Sequence, residues 1–176
     1  MHQIESAGEG RETARSQYGV RWAVIFLLLA AGATRAEPQP SAAMLKPVHG
    51  LVAFMSTLRS GEHPDVFVRR GLCIVENFSP FLFCGPDAQE QWEAGFRAHE
   101  AQSAERGLVA QFGQAYDFSE SGNRAYFSLP TAWTGLTHGH RFEEHGAWAF
   151  VLERNGASWK ILGYGWGVTS YTEFPP

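Results

Sequence analysis

The 176-residue sequence has two cysteines, no run of lysine or arginine, no internal repeat and no low-complexity tract. The missing basic runs, with a formal net charge of −4, exclude the electrostatic footprint of a nucleic-acid binder. The longest apolar run, Trp22 to Ala31, is about half of the ~20 residues that a membrane-spanning helix needs, which excludes an anchor. Two cysteines cannot complete a zinc site, and no histidine lies close to them in sequence. What is present is apolar: 44% hydrophobic and 14% aromatic residues against 18% charged, too rich for a disordered chain and sufficient for one domain with a real core.

The N-terminal stretch "RWAVIFLLLAAGATRA" has the layout of a secretory signal. Arg21 precedes the apolar run, and small residues lead to an A-x-A-like cleavage site after Ala36. Cleavage there leaves Glu37 as the mature N-terminus. The polar lead over residues 1–19 is unusual for a signal, and an alternative start codon at Val20 would account for it. Residues 1–36 hold four basic and three acidic side chains, which leaves 10 and 15 in the mature chain, a net −5. The expected location is periplasmic or secreted, where disulfides form and persist.

Residues 37–44, with Pro38 and Pro40, read as an extended linker before a domain over 45–170 and a tail over 171–176. Val48, Leu51, Val52, Met55 and Leu58 recur at helical spacing, with Gly61 as the stop. A shorter helical segment is expected over "DVFVRR". "LCIVENF" and "FLFC" then read as the two strands of a hairpin turning at Asn77–Pro80. That register sets 75 against 82, 74 against 83, and Cys73 against Cys84. Cross-strand partners lie close enough for a bridge, so the pair is read as a disulfide.

The strongest helix spans "GPDAQEQWEAGFRAHEAQSAERG", with Gly85 as cap, Pro86 opening it, Gly107 closing it, and Trp92, Phe96 and His99 on one face. From Leu108 the pattern changes to long strands with turns at 120–123, 137–140 and 155–156. In "GAWAFVLE", Trp148, Phe150 and Leu152 alternate with Ala147, Ala149 and Val151, so both faces are apolar. Such a sheet is covered twice, by helices on one side and by a second copy of the chain on the other. The fold class is α+β: N-terminal helices packed on a curved antiparallel β-sheet.

"CGPDAQEQWEAGF", "GNRAYFSLP" and "GAWAFVLERNGASWKILGYGWG" resemble the SnoaL-like proteins of the nuclear transport factor 2 superfamily, over roughly Leu45 to Gly167. The resemblance implies a cone with an internal pocket between the long helix and the concave sheet, and often a dimer. It is poor in function, because this scaffold hosts isomerases, dehydratases, cyclases, transport factors and binders. Val75-Glu76-Asn77-Phe78 also resembles the Val-Glu-Asp-Pro stretch in which ketosteroid isomerase carries its base. Here Asn77 stands at the aspartate's place, and an amide accepts no proton at neutral pH. Glu76 remains as a neighbouring carboxylate, on the opposite side of an extended strand from position 77.

"HGHRFEEH" is the densest group of potential ligands. His138, His140 and Glu144 have a spacing close to a cupin-type metal site, but no second histidine motif follows and the cluster sits at a hairpin tip. No metal and no cofactor is expected; a site at His138, His140 and Glu144 is the alternative. Glu76, His140 and His145 are the catalytic candidates. Phe78, Trp92, Phe96, Tyr126, Trp133, Trp148, Tyr164 and Trp166 are the candidates to line an apolar pocket with hydroxyl and indole donors at its edge.

The functional expectation is an exported domain that binds a small apolar or amphipathic ligand or serves as a non-enzymatic accessory module. The alternative is an isomerase, dehydratase or hydrolase using a pocket carboxylate with histidine or tyrosine. Expected partners are a small molecule and a second copy of the chain through the sheet face, with no nucleic acid and no membrane after signal removal. Native mass spectrometry of the exported protein should find a subunit that begins near Glu37, is two hydrogens lighter than its free-thiol form, and is paired at twice its mass. A full-length, reduced or monomeric species contradicts the corresponding expectation.

Overall fold

The computed structural model describes residues 37–57 and 63–175. The signal segment expected over 1–36, and Leu58 and Gly61 of the first helical pattern, lie outside the described residues. Helix α1 (Ala42–Thr57) begins after Ser41, whose hydroxyl accepts the Met44 N–H at 3.3 Å, so the extended lead ends three residues earlier than expected. Val48, Leu51, Phe54 and Met55 form its buried stripe.

"DVFVRR" is not helical. Asp65 and Val66 make a turn, and Phe67 forms a single parallel bridge to Ile161. The reason is tertiary: Val66, Phe67 and Val68 are consecutive and all buried against distant parts of the chain, which one face of a surface helix cannot provide.

Strands β1 (Cys73–Val75) and β2 (Leu82–Cys84) form the expected hairpin, with Cys73 opposite Cys84, Ile74 opposite Phe83 and Val75 opposite Leu82. The two cysteines are disulfide-bonded, with Cα atoms 4.2 Å apart. Helix α2 (Ala88–Ser103) starts later than expected, after Asp87, and ends at Ala104 in the left-handed conformation, whose N–H returns to the Glu100 carbonyl. Gly95 lets it approach the hairpin: a Cβ there would stand 3.1–3.3 Å from the Phe78 and Phe83 rings.

The rest is a strand meander: β3 (Arg106–Phe112), β4 (Tyr116–Ser121), β5 (Arg124–Thr137), β6 (His140–Asn155) and β7 (Ser158–Glu173). The seven strands form one unclosed sheet in the order β2-β1-β7-β6-β5-β3, with β4 also on β5. All pairings are antiparallel except β1 on β7. Pro130, mid-strand in β5, falls between the stretch paired with β4 and the stretch paired with β3. Its carbonyl accepts the Gly113 N–H at 2.8 Å, so its missing N–H interrupts no ladder.

Curvature comes from breaks in register. Leu152 faces Ile161 and Val151 faces Gly163, which leaves Leu162 as an extra residue in β7. A second extra residue, Thr169, lies between the partners of His145 and Gly146. Trp148, Phe150 and Leu152 are fully buried on the concave face, and Ala147, Ala149 and Val151 are half-buried on the other.

The β1–β7 contact is tight at one point. A Cβ on Gly163 would stand 2.6 Å from the Cys73 carbonyl oxygen, whereas one on Gly165 would meet the Val75 Cβ at 3.8 Å, ordinary contact. Urea unfolding should therefore show Gly163→Ala losing about 1–3 kcal/mol and Gly165→Ala within about 0.5 kcal/mol of the parent. Equal effects at the two positions would contradict this pairing geometry.

Candidate functional site

The concave face leads to a cavity of about 50 Å³. Strand phase decides what enters it. In β1 and the residues after it, Ile74, Glu76 and Phe78 are buried, and Cys73, Val75 and Asn77 are exposed. The disulfide lies on the outward side, in agreement with that phase. The carboxylate of Glu76, not the side chain of position 77, is therefore inside, and Asn77 contributes to the cavity lining from an exposed position. Residues 76 and 77 face opposite sides as expected, with Glu76 on the buried one.

Glu76 is only 5% exposed. Its Oε1 accepts the Trp92 indole N–H of α2 at 3.1 Å and the Tyr164 hydroxyl of β7, and the Asn77 backbone N–H adds a further bond. The extra residue Leu162 shifts the inward phase of β7 from Trp159 and Ile161 to Tyr164 and Trp166, and the parallel pairing Ile74 with Tyr164 brings that hydroxyl to Glu76. Burial pushes the Glu76 carboxyl up to about 7; the donors oppose the shift, and the charge of Glu144 reinforces it. Burial and the adjacent Glu76 charge push the Tyr164 hydroxyl well above its ordinary value.

The opposite wall comes from β6. Counting back in steps of two from Trp148 gives Gly146, Glu144 and Phe142 on the concave face. Glu144 Oε1 accepts the Trp166 indole N–H at 3.1 Å, and burial raises its carboxyl, with Glu105 adding to the rise. Trp166 packs on Trp148 at 4.8 Å between ring centroids. Gly146 makes room for it: a Cβ there would stand 2.5 Å from the Trp166 ring. His99 stacks on Phe78 at 5.2 Å, with its Nε2 3.9 Å from Glu105 Oε1. Among the described residues, three carboxylates and one histidine thus line the cavity, with no lysine or arginine.

Of the pocket residues expected from sequence, Phe78, Phe96, Trp133, Trp148 and Trp166 line the cavity. Trp92 and Tyr164 are not in its lining; they are the donors that hold Glu76. Tyr126 is on the other face of the sheet, 3.3 Å from the Ser128 hydroxyl, because Ala125 and Phe127 take the inward positions of β5. His140 and His145 do not join Glu76. His140 pairs with Glu173 at 3.1 Å, and His145 pairs with Glu143 at 2.8 Å across one residue of the outward face.

His138 occupies the β5–β6 turn with φ +49°, while Glu144 points to Trp166, so the alternative metal set does not assemble. Among the described residues no three of His, Cys, Asp and Glu are grouped to hold a metal ion. Sequence reasoning missed Glu144 as a cavity carboxylate, although the alternation through Trp148 carried the signal. Glu105 and the orientation of His99 had no such signal, because both depend on how α2 meets the sheet.

No family model matches the sequence, and no curated protein does. Solved structures do. Hexachlorocyclohexane dehydrochlorinase LinA-type3 from Novosphingobium barchaimii is similar at TM-score 0.61 and 9% identity, over 77% of this chain and 94% of that one. A putative scytalone dehydratase from Novosphingobium aromaticivorans gives TM-score 0.60 and 12% identity, over 76% and 87%. A nuclear transport factor 2-like superfamily protein from Salmonella enterica gives 0.58 and 10%, over 71% and 87%. Two helices on a curved, unclosed sheet, matched at identities this low, carry the fold alone: the chain has the cone fold of the nuclear transport factor 2-like and SnoaL-like proteins.

Proposed function

We propose that this domain binds a small amphipathic molecule in the cone, in an oxidising compartment outside the cytosol. One observation carries the reading: a cavity walled by six aromatic rings, those of Phe78, Phe96, Trp133, Phe142, Trp148 and Trp166, is edged by carboxylates and an imidazole. A cone filled for packing alone has no use for Glu76 and Glu144 at its wall, since burial costs both of them desolvation free energy. The disulfide supports export, and no helix among the described residues is long and apolar enough to cross a membrane. A pair of chains through the outer face is supported by a groove along Tyr126, Ala149, Val151 and Leu162, beside Val75 at 47% exposure.

A second reading, proton transfer to or from the bound molecule, is favoured by Glu76. A carboxyl that titrates near neutrality is suited to general acid–base work. Two proteins of similar fold are named for eliminations, a dehydrochlorinase and a dehydratase, and an elimination needs a base.

Benzyl alcohol, a small amphipathic probe, should change the tryptophan emission saturably, because three tryptophans line the cavity. Leu108→Phe, which fills the cavity, should weaken that binding at least about tenfold. A response that does not saturate, or that Leu108→Phe leaves unchanged, contradicts the binding reading.

The proton-transfer reading requires Glu76 to hold a proton near neutral pH, and stability reports it. Unfolded, the carboxyl titrates near its ordinary 4.5; folded, near 7. Between those values the native state holds a proton that the unfolded state has lost. The contribution of this group to stability is therefore fully present below about pH 4.5 and is lost as pH rises through 7, by up to about 1.4 kcal/mol per pH unit. Glu100 and Glu144 are raised in the same sense and add to the slope. Urea midpoints from pH 5 to 8 should fall less steeply in Glu76→Gln than in the parent; identical slopes contradict the reading.

A further inference from the structure

We propose that the cavity takes a neutral molecule by a hydrogen-bond acceptor, a carbonyl oxygen in its simplest form, which receives the carboxylic hydrogen of Glu76, so that ligand and proton bind together; this rests on reading the cavity as a ligand site. The partners of Glu76 define that chemistry. The Trp92 indole N–H and the Tyr164 hydroxyl both donate to Oε1, and the third partner is the backbone N–H of Asn77. Each of them gives a hydrogen, and none receives one. A carboxylate is well served by that arrangement; a carboxylic acid is left with a hydrogen on Oε2 and no acceptor for it among its partners. That oxygen is not sealed in. The described residues hold a single buried side-chain polar atom without a partner, and it belongs to Trp148. Oε2 meets no side chain among the described residues, so it keeps accessible surface, on a residue that forms part of the cavity wall.

The surroundings hold the hydrogen in place. Glu76 and Glu144 face one small cavity, and among the described residues no lysine or arginine joins its wall. Two carboxyls so placed repel as anions, and the one that gives up more water takes the proton. Glu76 is buried and Glu144 half-buried, in keeping with the rise of the Glu76 carboxyl to about 7. The other ionisable groups around it are Tyr164 on β7, which donates to it, and His99 and Glu105 in the cavity wall. The occupant follows from these groups. An anion meets Glu144 and Glu105, and a hydrocarbon leaves the acid hydrogen unpaired. A neutral acceptor on an apolar body satisfies the hydrogen and the aromatic rings together. Above neutrality the hydrogen is lost, a carbonyl oxygen then faces a carboxylate oxygen with nothing to share, and the molecule is released.

The test compares acetophenone with α-methylstyrene, which has the same shape with a methylene group in place of the carbonyl oxygen. Both are titrated into the full chain at about pH 5.5 and about pH 8.5, with affinity read from backbone amide chemical shifts. At the lower pH acetophenone should bind at least about fivefold more tightly than α-methylstyrene. At the higher pH acetophenone should lose at least about fivefold, while α-methylstyrene stays within about twofold. Glu76→Gln, whose amide donates at every pH, should keep the preference for acetophenone and lose its pH dependence. The comparison of the two probes in the parent stands whether or not that variant folds. Acetophenone binding that does not change with pH in the parent, or that falls equally in Glu76→Gln, overturns the proton link. Equal affinity of the two probes at the lower pH overturns the acceptor inference and, where both saturate, leaves the cavity standing as a ligand site. Failure of both probes overturns the inference, and the benzyl alcohol titration then decides the underlying reading separately.

Discussion

A carboxyl group removed from water must be given hydrogen-bond donors or a proton, and around Glu76 the fold gives it both. Its donors come from three separate parts of the chain: the Trp92 indole on α2, the Tyr164 hydroxyl on β7, and the backbone N–H of Asn77 beyond β1. None of these parts can shift without leaving a buried polar group unpaired. The hairpin, the long final strand and the second helix are thereby tied to one point at the cavity wall. Donors that favour the ionised form act against burial that disfavours it, and the balance leaves a group able to gain or lose a proton at neutral pH.

The rest of the architecture delivers those donors. Parallel pairing of β1 with β7 aligns Ile74 with Tyr164, and the absence of a side chain at Gly163 lets the two strands close. The extra residue at Leu162 turns the following residues over, so that Tyr164 and Trp166 face inward where an uninterrupted alternation from Ile161 would point them out. On the outward face of the hairpin, the disulfide joins Cys73 to Cys84 at the end away from the turn. Structure and chemistry meet across the cone as well: Glu144 and Trp166 repeat, on the opposite wall, the carboxylate–indole arrangement of Glu76 and Trp92.

Local signals were legible in the sequence and long-range ones were not. The hairpin register follows from the Asn77–Pro80 turn and the spacing of two cysteines, and the turns at 137–140 and 155–156 follow from Gly139 and Gly156 between strand-forming runs. The cavity aromatics Trp148 and Trp133 are visible by alternation. "DVFVRR" misleads because its three consecutive apolar residues are buried by tertiary packing, which no local period encodes. Tyr126 misleads for a similar reason: the inward phase of β5 belongs to its odd-numbered residues. The histidines of "HGHRFEEH" attract attention by composition, yet the strand alternation sends His145 outward and Glu144 inward, so the acidic member of the cluster enters the cavity. The inward orientation of Glu76 depends on which face of a three-residue strand α2 covers, a choice made by the whole fold.

The proposed binding draws on the aromatic wall, and the proposed proton transfer rests on the state of the Glu76 carboxyl beside it. A carbon-13 titration of the Glu76 side-chain carboxyl, assigned by its disappearance in Glu76→Gln, reads that state directly. The account predicts a midpoint at about 7. A midpoint near 4.5, the ordinary carboxyl value, would contradict it.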